Sequence, residues 1–286
     1  MTGVPGIYHH GEEYMKGKKR VSFIALILVL VFLDPIQGLA FSSGTHLYIA
    51  DHVFEDEAYP LDLYYGAIAP DLDFAVKQVS KWPTAFDDTH HNFVDLRSFA
   101  SGPEQLAFAK GWLTHNEKDP WGIDHYAHID PGYVIQKAKG LTGLPSDFAH
   151  LAIEVAVDVL LRDNDDHQLG QKLLSSLQRH SSKDRTLLTD LFVSNQQRTD
   201  RLTLIMAEMN YRQVMLQYAR ALSKPSPENK EALAKWGVML AQRLYGTRLS
   251  SDYLLGILED AIALCKDDYK ETVDTVIQGI KDNIGL

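Results

Sequence analysis

Phe148-Ala-His150-Leu-Ala-Ile-Glu154-Val-Ala-Val-Asp158 is almost wholly apolar, yet it carries an imidazole and a carboxylate four residues apart. The stretch reads as helix, on which residues four apart lie one above the other, so His150 and Glu154 can point at one object. Asp158 continues the same face. Charge buried without a partner is costly, so the pair requires either a simple His–Glu ion pair or a further compensating group. Outward from there, His115-Asn-Glu-Lys-Asp119-Pro-Trp-Gly-Ile-Asp-His125 repeats the theme. His115 and Asp119 follow an apolar face (Trp112, Leu113), Pro120 stops the helix, and His125 comes six residues after Asp119. A surface ion pair of Asp119 with Lys118 or Lys110 is the plain alternative. Imidazole and carboxylate pairs presented from two helices are what a bundle uses to hold metal in its core. Two pairs and a spare histidine exceed one tetrahedral ion and predict a multinuclear site.

The remaining chain reads as helix almost throughout. Apolar periodicity marks residues 45–54, 61–68, 105–118, 147–161, 169–178, 186–222, 229–244, 252–265 and 269–284, with Ser146 as an N-cap. Alternating strand-type runs are scarce, so the expected fold is an all-α multi-helix bundle. Residues 73–101 read as a long loop poor in helix signals, and such loops in compact domains are often functional. Eight of the twelve histidines lie between His46 and His150. The expected organisation is therefore a metal-binding core over 41–165. Residues 166–286 form a helical part packed on the same domain, whose helices could also offer a dimer face.

Residues 1–40 are set apart from the fold. Lys16, Lys18, Lys19 and Arg20 precede a short apolar run, Val21 to Leu33, and Gly38-Leu39-Ala40 supplies small residues for cleavage. This is the pattern of a secretory signal, with an uncleaved anchor as the alternative and Met15 as an alternative start. Cleavage after Ala40 predicts an exported protein beginning Phe41-Ser-Ser-Gly-Thr-His46. The formal charge of −10 would move to near −11, which does not favour electrostatic capture of nucleic acid or an anionic bilayer. Cys265 is the only cysteine, so no internal disulfide forms and stability must come from packing and bound metal.

Further candidates flank the two pairs. Asp71, in Gly66-Ala-Ile-Ala-Pro70-Asp71, follows a helix stop and would otherwise be a turn aspartate. His90 and His91 are adjacent, so one suits an ion and the other a substrate contact or the surface. His91, His128 and Asp158 are groups that orient a ligand imidazole or replace it.

Taken together, His46, Asp71, Thr89-His90, His115-x3-Asp119-x5-His125 and His150-x3-Glu154 resemble the bacterial zinc-dependent phospholipase C family, which is related to the S1/P1 nucleases. The resemblance spans roughly residues 41–165. It implies an all-helical protein with three zinc ions in a cleft. Asp71, His90, His115 and Asp119 would hold the first; His125, His150 and Glu154 the second; His46, Asp119 and the terminal amine and carbonyl of Phe41 the third. Family members usually begin with tryptophan, but backbone atoms do the ligating there, so Phe41 is compatible. Asp71 would also be the catalytic group, orienting or deprotonating the attacking water.

The implied activity is phosphodiester hydrolysis. Phospholipid is the expected substrate, split to diacylglycerol and a phosphorylated head group with transient contact to a membrane surface. An S1/P1-like nuclease or nucleotidase is the first alternative; such nucleases usually carry disulfides, which this chain cannot form internally. A non-catalytic, zinc-stabilised helical binding protein is the second. Tyr64, Tyr65, Phe74, Trp82 and Trp121 are the aromatics that could stack on a base or a choline group, if they do not serve the core.

Overall fold

Gly66 and Gly111 set the geometry on which the rest is built. The computed structural model describes residues 42–76, 82–91, 94–179 and 182–286, and the segment expected to be a secretory signal, 1–40, and Phe41 lie outside the described residues. The chain opens with α1 (Ser43–Val53) and α2 (Pro60–Ile68). A 3-10 turn (Ala69–Leu72) leads into the short α3 (Asp73–Val76). A π-helical turn (Asp87–His91) and a 3-10 turn (Leu96–Phe99) precede α4 (Pro103–Leu113). Then come α5 (Ile123–His128), α6 (Tyr133–Ala138) and the long α7 (Ser146–Asn164). The chain closes with α8 (Leu169–Arg179), α9 (Ser182–Thr189), α10 (Arg201–Leu222), α11 (Glu228–Tyr245), α12 (Ser251–Cys265) and α13 (Tyr269–Ile284). No strand occurs among the described residues, and the fold is an all-α multi-helix bundle. None of the described helices is long and apolar enough to cross a membrane.

The tightest packing is between α2 and α4. A Cβ at Gly66 would stand 2.0 Å from the Phe108 carbonyl oxygen, and one at Gly111 would stand 2.0 Å from the Leu63 carbonyl oxygen. Glycine costs about 1 kcal/mol relative to alanine inside a helix, and here it permits backbone-to-backbone contact that no side chain would allow. Because the helices touch at these glycines, the end of α4 reaches the end of α2: His115 Nδ1 lies 3.1 Å from the Ala67 carbonyl oxygen. Behind this pair, α8 packs on α2 and α10, α12 packs on α11 and α7, and α13 packs on α1. Phe108, Phe192, Tyr211 and Tyr218 fill the centre and are essentially inaccessible to water.

Several boundaries differ from the sequence reading, each for a local reason. The helix expected over 105–118 stops at Leu113: Thr114 and His115 N–H turn back to the Gly111 and Trp112 carbonyls, and the Thr114 carbonyl is taken by Ile123 N–H instead of a next helical turn. The run 186–222 breaks into α9, a π turn (Asp190–Asn195) and α10. The polar stretch before α10 ends at Asp200, whose side chain caps it by accepting the Thr203 N–H at 2.9 Å. Ser146 is the first residue of α7, and the N-cap is Pro145. The long loop expected over 73–101 is not featureless. Asp88 accepts from Trp82 Nε1 (2.8 Å) and Thr84 Oγ1 (2.7 Å), which folds the chain into the π turn that carries His90.

Replacing Gly66 by alanine is expected to lower stability by about 1–3 kcal/mol or more through overpacking, read as a fall in the urea midpoint. Gly256→Ala on α12, where nothing stands within 4 Å of the added carbon, should leave the midpoint unchanged or raise it. Equal behaviour of the two variants would contradict the close α2–α4 contact.

Candidate metal centre

The end of α4 explains how the site is assembled. After His115 the chain leaves the helical path, makes an excursion over residues 116–121, and returns. Gly122 N–H donates to the Asn116 carbonyl (2.6 Å), Ile123 N–H to Thr114 (2.8 Å) and Asp124 N–H to His115 (3.1 Å). A Cβ at Gly122 would stand 2.5 Å from the Asn116 nitrogen and the Thr114 carbonyl oxygen, so the closure requires glycine. The Asn116 side chain braces the excursion by donating to the Lys118 and Pro120 carbonyls. The consequence is that Asp124, not Asp119, stands beside His115. Asp119 is exposed on the bend, so its assignment as a bridging ligand is corrected.

Three groups of donor atoms come together, each with its atoms within 4.8 Å of one another: Asp71, His90 and His115; His46, His115 and Asp124; and His128, His150 and Glu154. Asp124 also closes the first group. Its oxygens lie 3.6 Å from His90 Nε2 and 3.4 Å from His115 Nε2, while Asp71 Oδ1 lies 3.7 and 3.6 Å from the same two nitrogens. These separations are too long for hydrogen bonds. They suit ligands that share one ion: bonds of about 2.0–2.1 Å at tetrahedral angles put donor atoms about 3.3 Å apart. Accordingly, both oxygens of Asp71 and of Asp124, and the Nε2 atoms of His90 and His115, are buried with no hydrogen-bond partner among the described residues. Buried polar atoms are rarely left so, and here they converge on one volume.

The far sides of the rings are already committed. His90 Nδ1 faces Thr89 Oγ1 (2.7 Å) and the Phe86 carbonyl (3.3 Å), and His115 Nδ1 faces the Ala67 carbonyl. This is how protein groups turn the other nitrogen of a ligand imidazole toward a metal. In the third group His128 and His150 bring their Nε2 atoms to 3.1 Å, and Glu154 Oε1 lies 2.8 Å from His150 Nε2. The His46 ring stacks on His115 at 4.3 Å, which joins α1 to the cluster.

Electrostatics lead to the same conclusion. Burial pushes the Asp71 carboxyl up to about 7, against the opposing pull of His115. Burial, and then the charge of Asp71, raise Asp124 and Glu154 well above the usual carboxylate range. Burial lowers His90 to about 3 and His115 to about 4. The same cause thus penalises every charged form, acid and imidazole alike. A bound divalent cation reverses this for the carboxylates and needs the imidazoles neutral. The donor set therefore fits a metal: buried, neutral nitrogens and carboxylate oxygens, with oxygen and nitrogen ligands of the kind zinc takes.

Of the residues singled out from sequence, His46, Asp71, His90, His115, His150 and Glu154 are brought into these groups. His125 is not; its ring lies flat against the exposed Trp121, 4.5 Å away and 4° from parallel. His128, expected either to orient a ligand imidazole or to replace it, joins His150 and Glu154 where His125 was expected. His91 sits between Asp87 (2.8 Å) and Glu117 (3.2 Å) and ties the π turn to the excursion. The hydrogen bonds of Asp158 go to no imidazole among the described residues; its carboxylate accepts from the first turn of α1 and from Tyr218. Asp124 was missed, although Asp124-x3-His128 is as clear an i,i+4 pair as His150-x3-Glu154. Of the aromatics considered for stacking, Tyr64, Tyr65 and Trp82 are buried, and Trp121 is about half exposed.

No family model matches the chain. An uncharacterized protein of Archaeoglobus fulgidus is 28% identical over 145 residues, covering 46% of this chain and 42% of that one, so the chain spans less than half the length of this relative. No solved structure matches.

Asp124→Asn is expected to abolish metal retention at the first group, whereas Asp119→Asn should bind metal as the unaltered protein does. Likewise His128→Ala should lose metal and His125→Ala should keep it. Elemental analysis after exhaustive dialysis reads all four. Loss in the Asp119 and His125 variants, with retention in their partners, would overturn the assignment.

Proposed function

We propose that this chain is an exported, zinc-dependent phosphodiester hydrolase of the phospholipase C type, cleaving phospholipid to diacylglycerol and a phosphorylated head group. The observation that carries the reading is the convergence of Asp71 and Asp124 oxygens on the Nε2 atoms of His90 and His115, with two further donor groups alongside. Three groups accord with the three ions implied by the sequence resemblance, once Asp124 and His128 replace Asp119 and His125. Such a set would hold zinc through Asp71, His90, His115 and Asp124, through His128, His150 and Glu154, and through His46 with Asp124. When bound, zinc supplies Lewis-acid polarisation of phosphoryl oxygens and positive charge against the charge that develops in the displacement.

The chain's own residues do the rest. Asp71 has a second oxygen, Oδ2, with no hydrogen-bond partner, and it is the group assigned to orient the attacking water and take its proton. Water adds to phosphorus, the bond from phosphorus to the glycerol oxygen breaks, and the proton passes to that leaving oxygen. Burial of Asp71 and Asp124 keeps bulk water from competing for their oxygens. Trp121, a half-exposed aromatic at the end of the excursion, is the feature that favours the nuclease reading, as a face on which a base stacks.

Purified protein incubated with phosphatidylcholine vesicles, single-stranded DNA and bis-p-nitrophenyl phosphate discriminates these readings. The expected result is release of phosphocholine and of p-nitrophenol, both abolished by chelator and restored by zinc. Turnover of DNA alone would favour the nuclease. Zinc-loaded protein inert toward all three would overturn the hydrolase reading.

A further inference from the structure

Helix α1 begins in an unusual way. Its N-cap residue, Ser42, makes no capping bond with its own helix; its hydroxyl donates instead to Tyr218 Oη on α10 at 2.8 Å. The cap comes from Asp158, more than a hundred residues away on α7. Its carboxylate accepts from Gly44 N–H (2.7 Å), Thr45 N–H (2.6 Å), Thr45 Oγ1 (2.6 Å) and Tyr218 Oη (2.6 Å). A carboxylate at a helix N-terminus meets unsatisfied N–H groups and the positive end of the helix dipole. Gly44 admits it: a Cβ there would stand 2.4 Å from Asp158 Oδ2. A second tyrosine, Tyr211, lies 3.3 Å from Ser43 Oγ and donates to the Ile68 carbonyl, at the end of α2.

This arrangement exceeds what holding a helix requires. Asp158 is fully buried, and burial raises its carboxyl despite four favourable hydrogen bonds, so a costly group sits where the local serine could have capped. What the arrangement does is fix the first turn of α1 against α7 and α10. His46 stands in that first turn, with its ring stacked on His115. The same face of α7 that carries His150 and Glu154 carries Asp158 one turn further on, so one rigid helix sets both the third donor group and the start of α1.

We propose that Asp158 and Tyr218 are positioning residues for the donor His46, and that their anchor on the first turn of α1 governs metal occupancy of the His46–His115–Asp124 group. The inference rests on the metal reading above and adds two residues that belong to none of the three donor groups.

The test uses Tyr218→Phe, Asp158→Asn and Gly44→Ala, each compared with His46→Ala. Tyr133→Phe serves as a matched loss of a buried hydroxyl elsewhere; it removes the 2.8 Å bond to Asp268. Proteins are titrated with Co2+, and stoichiometry and the visible absorption spectrum are recorded together with the thermal midpoint. Tyr218→Phe is expected to weaken one Co2+ equivalent about tenfold or more, in the range seen for outer partners of metal ligands. The spectral component lost should be the one missing from His46→Ala, with the remaining bands intact; Tyr133→Phe should keep all equivalents. If the anchor variants bind Co2+ with unaltered stoichiometry, affinity and spectrum, and differ only in midpoint, the anchor is structural and the proposal fails. Should Asp158→Asn not fold, Tyr218→Phe decides. Unaltered protein that takes up no Co2+ would overturn the metal reading itself, and this proposal with it.

Discussion

Carboxylate oxygens held 3.4 to 3.7 Å from imidazole nitrogens, in a place water does not reach, are the constraint on which the rest of this structure depends. At that spacing the groups do not hydrogen-bond, and the pull of His115 on Asp71 is outweighed by burial, so the cluster carries a cost that ordinary packing does not return. A bound cation would complete such a cluster, and these buried groups are arranged so that they could hold one. The chemistry proposed for the protein follows from that arrangement, and so does the shape of the fold around it.

The helices are arranged to bring donors from distant parts of the chain to one point. Gly66 and Gly111 let α2 and α4 touch, which delivers His115 to the stop after α2 where Asp71 lies. Trp82 and Thr84, bonded to Asp88, bend the intervening segment so that the π turn presents His90. On α7 a single face supplies His150 and Glu154 and then, one turn on, the Asp158 carboxylate that caps α1 and sets His46. Among the described residues, the C-terminal helices contribute to none of the three groups. Their part is to support α1, α7 and α8 from behind, with Tyr211 and Tyr218 as the polar links through the core.

How much of this the sequence disclosed depended on whether the physics was local. Helix periodicity revealed the all-α class and most of the helices, because apolar spacing is a property of adjacent residues. His150 and Glu154 were legible for the same reason. His115 and Asp119 were misread because equal spacing was taken as a shared helix face, when Pro120 already disfavours helix at Asp119. The excursion that carries Asp119 away closes through Gly122 and backbone bonds to Thr114, Asn116 and His115, a return path that no spacing rule describes. Asp124 stands beside His115 only because of it. The role of Asp158 was hidden in another way: a cap supplied from more than a hundred residues away leaves no mark in the sequence around α1.

Anomalous diffraction from crystals of the purified protein, recorded on both sides of the zinc absorption edge, tests the central claim most directly. A strong peak is expected bounded by Asp71, His90, His115 and Asp124, with further peaks at the His128–His150–Glu154 and His46–His115–Asp124 groups. Crystals grown with zinc present that show no peak at the first position, with the imidazole nitrogens instead hydrogen-bonded to the carboxylates, would contradict it.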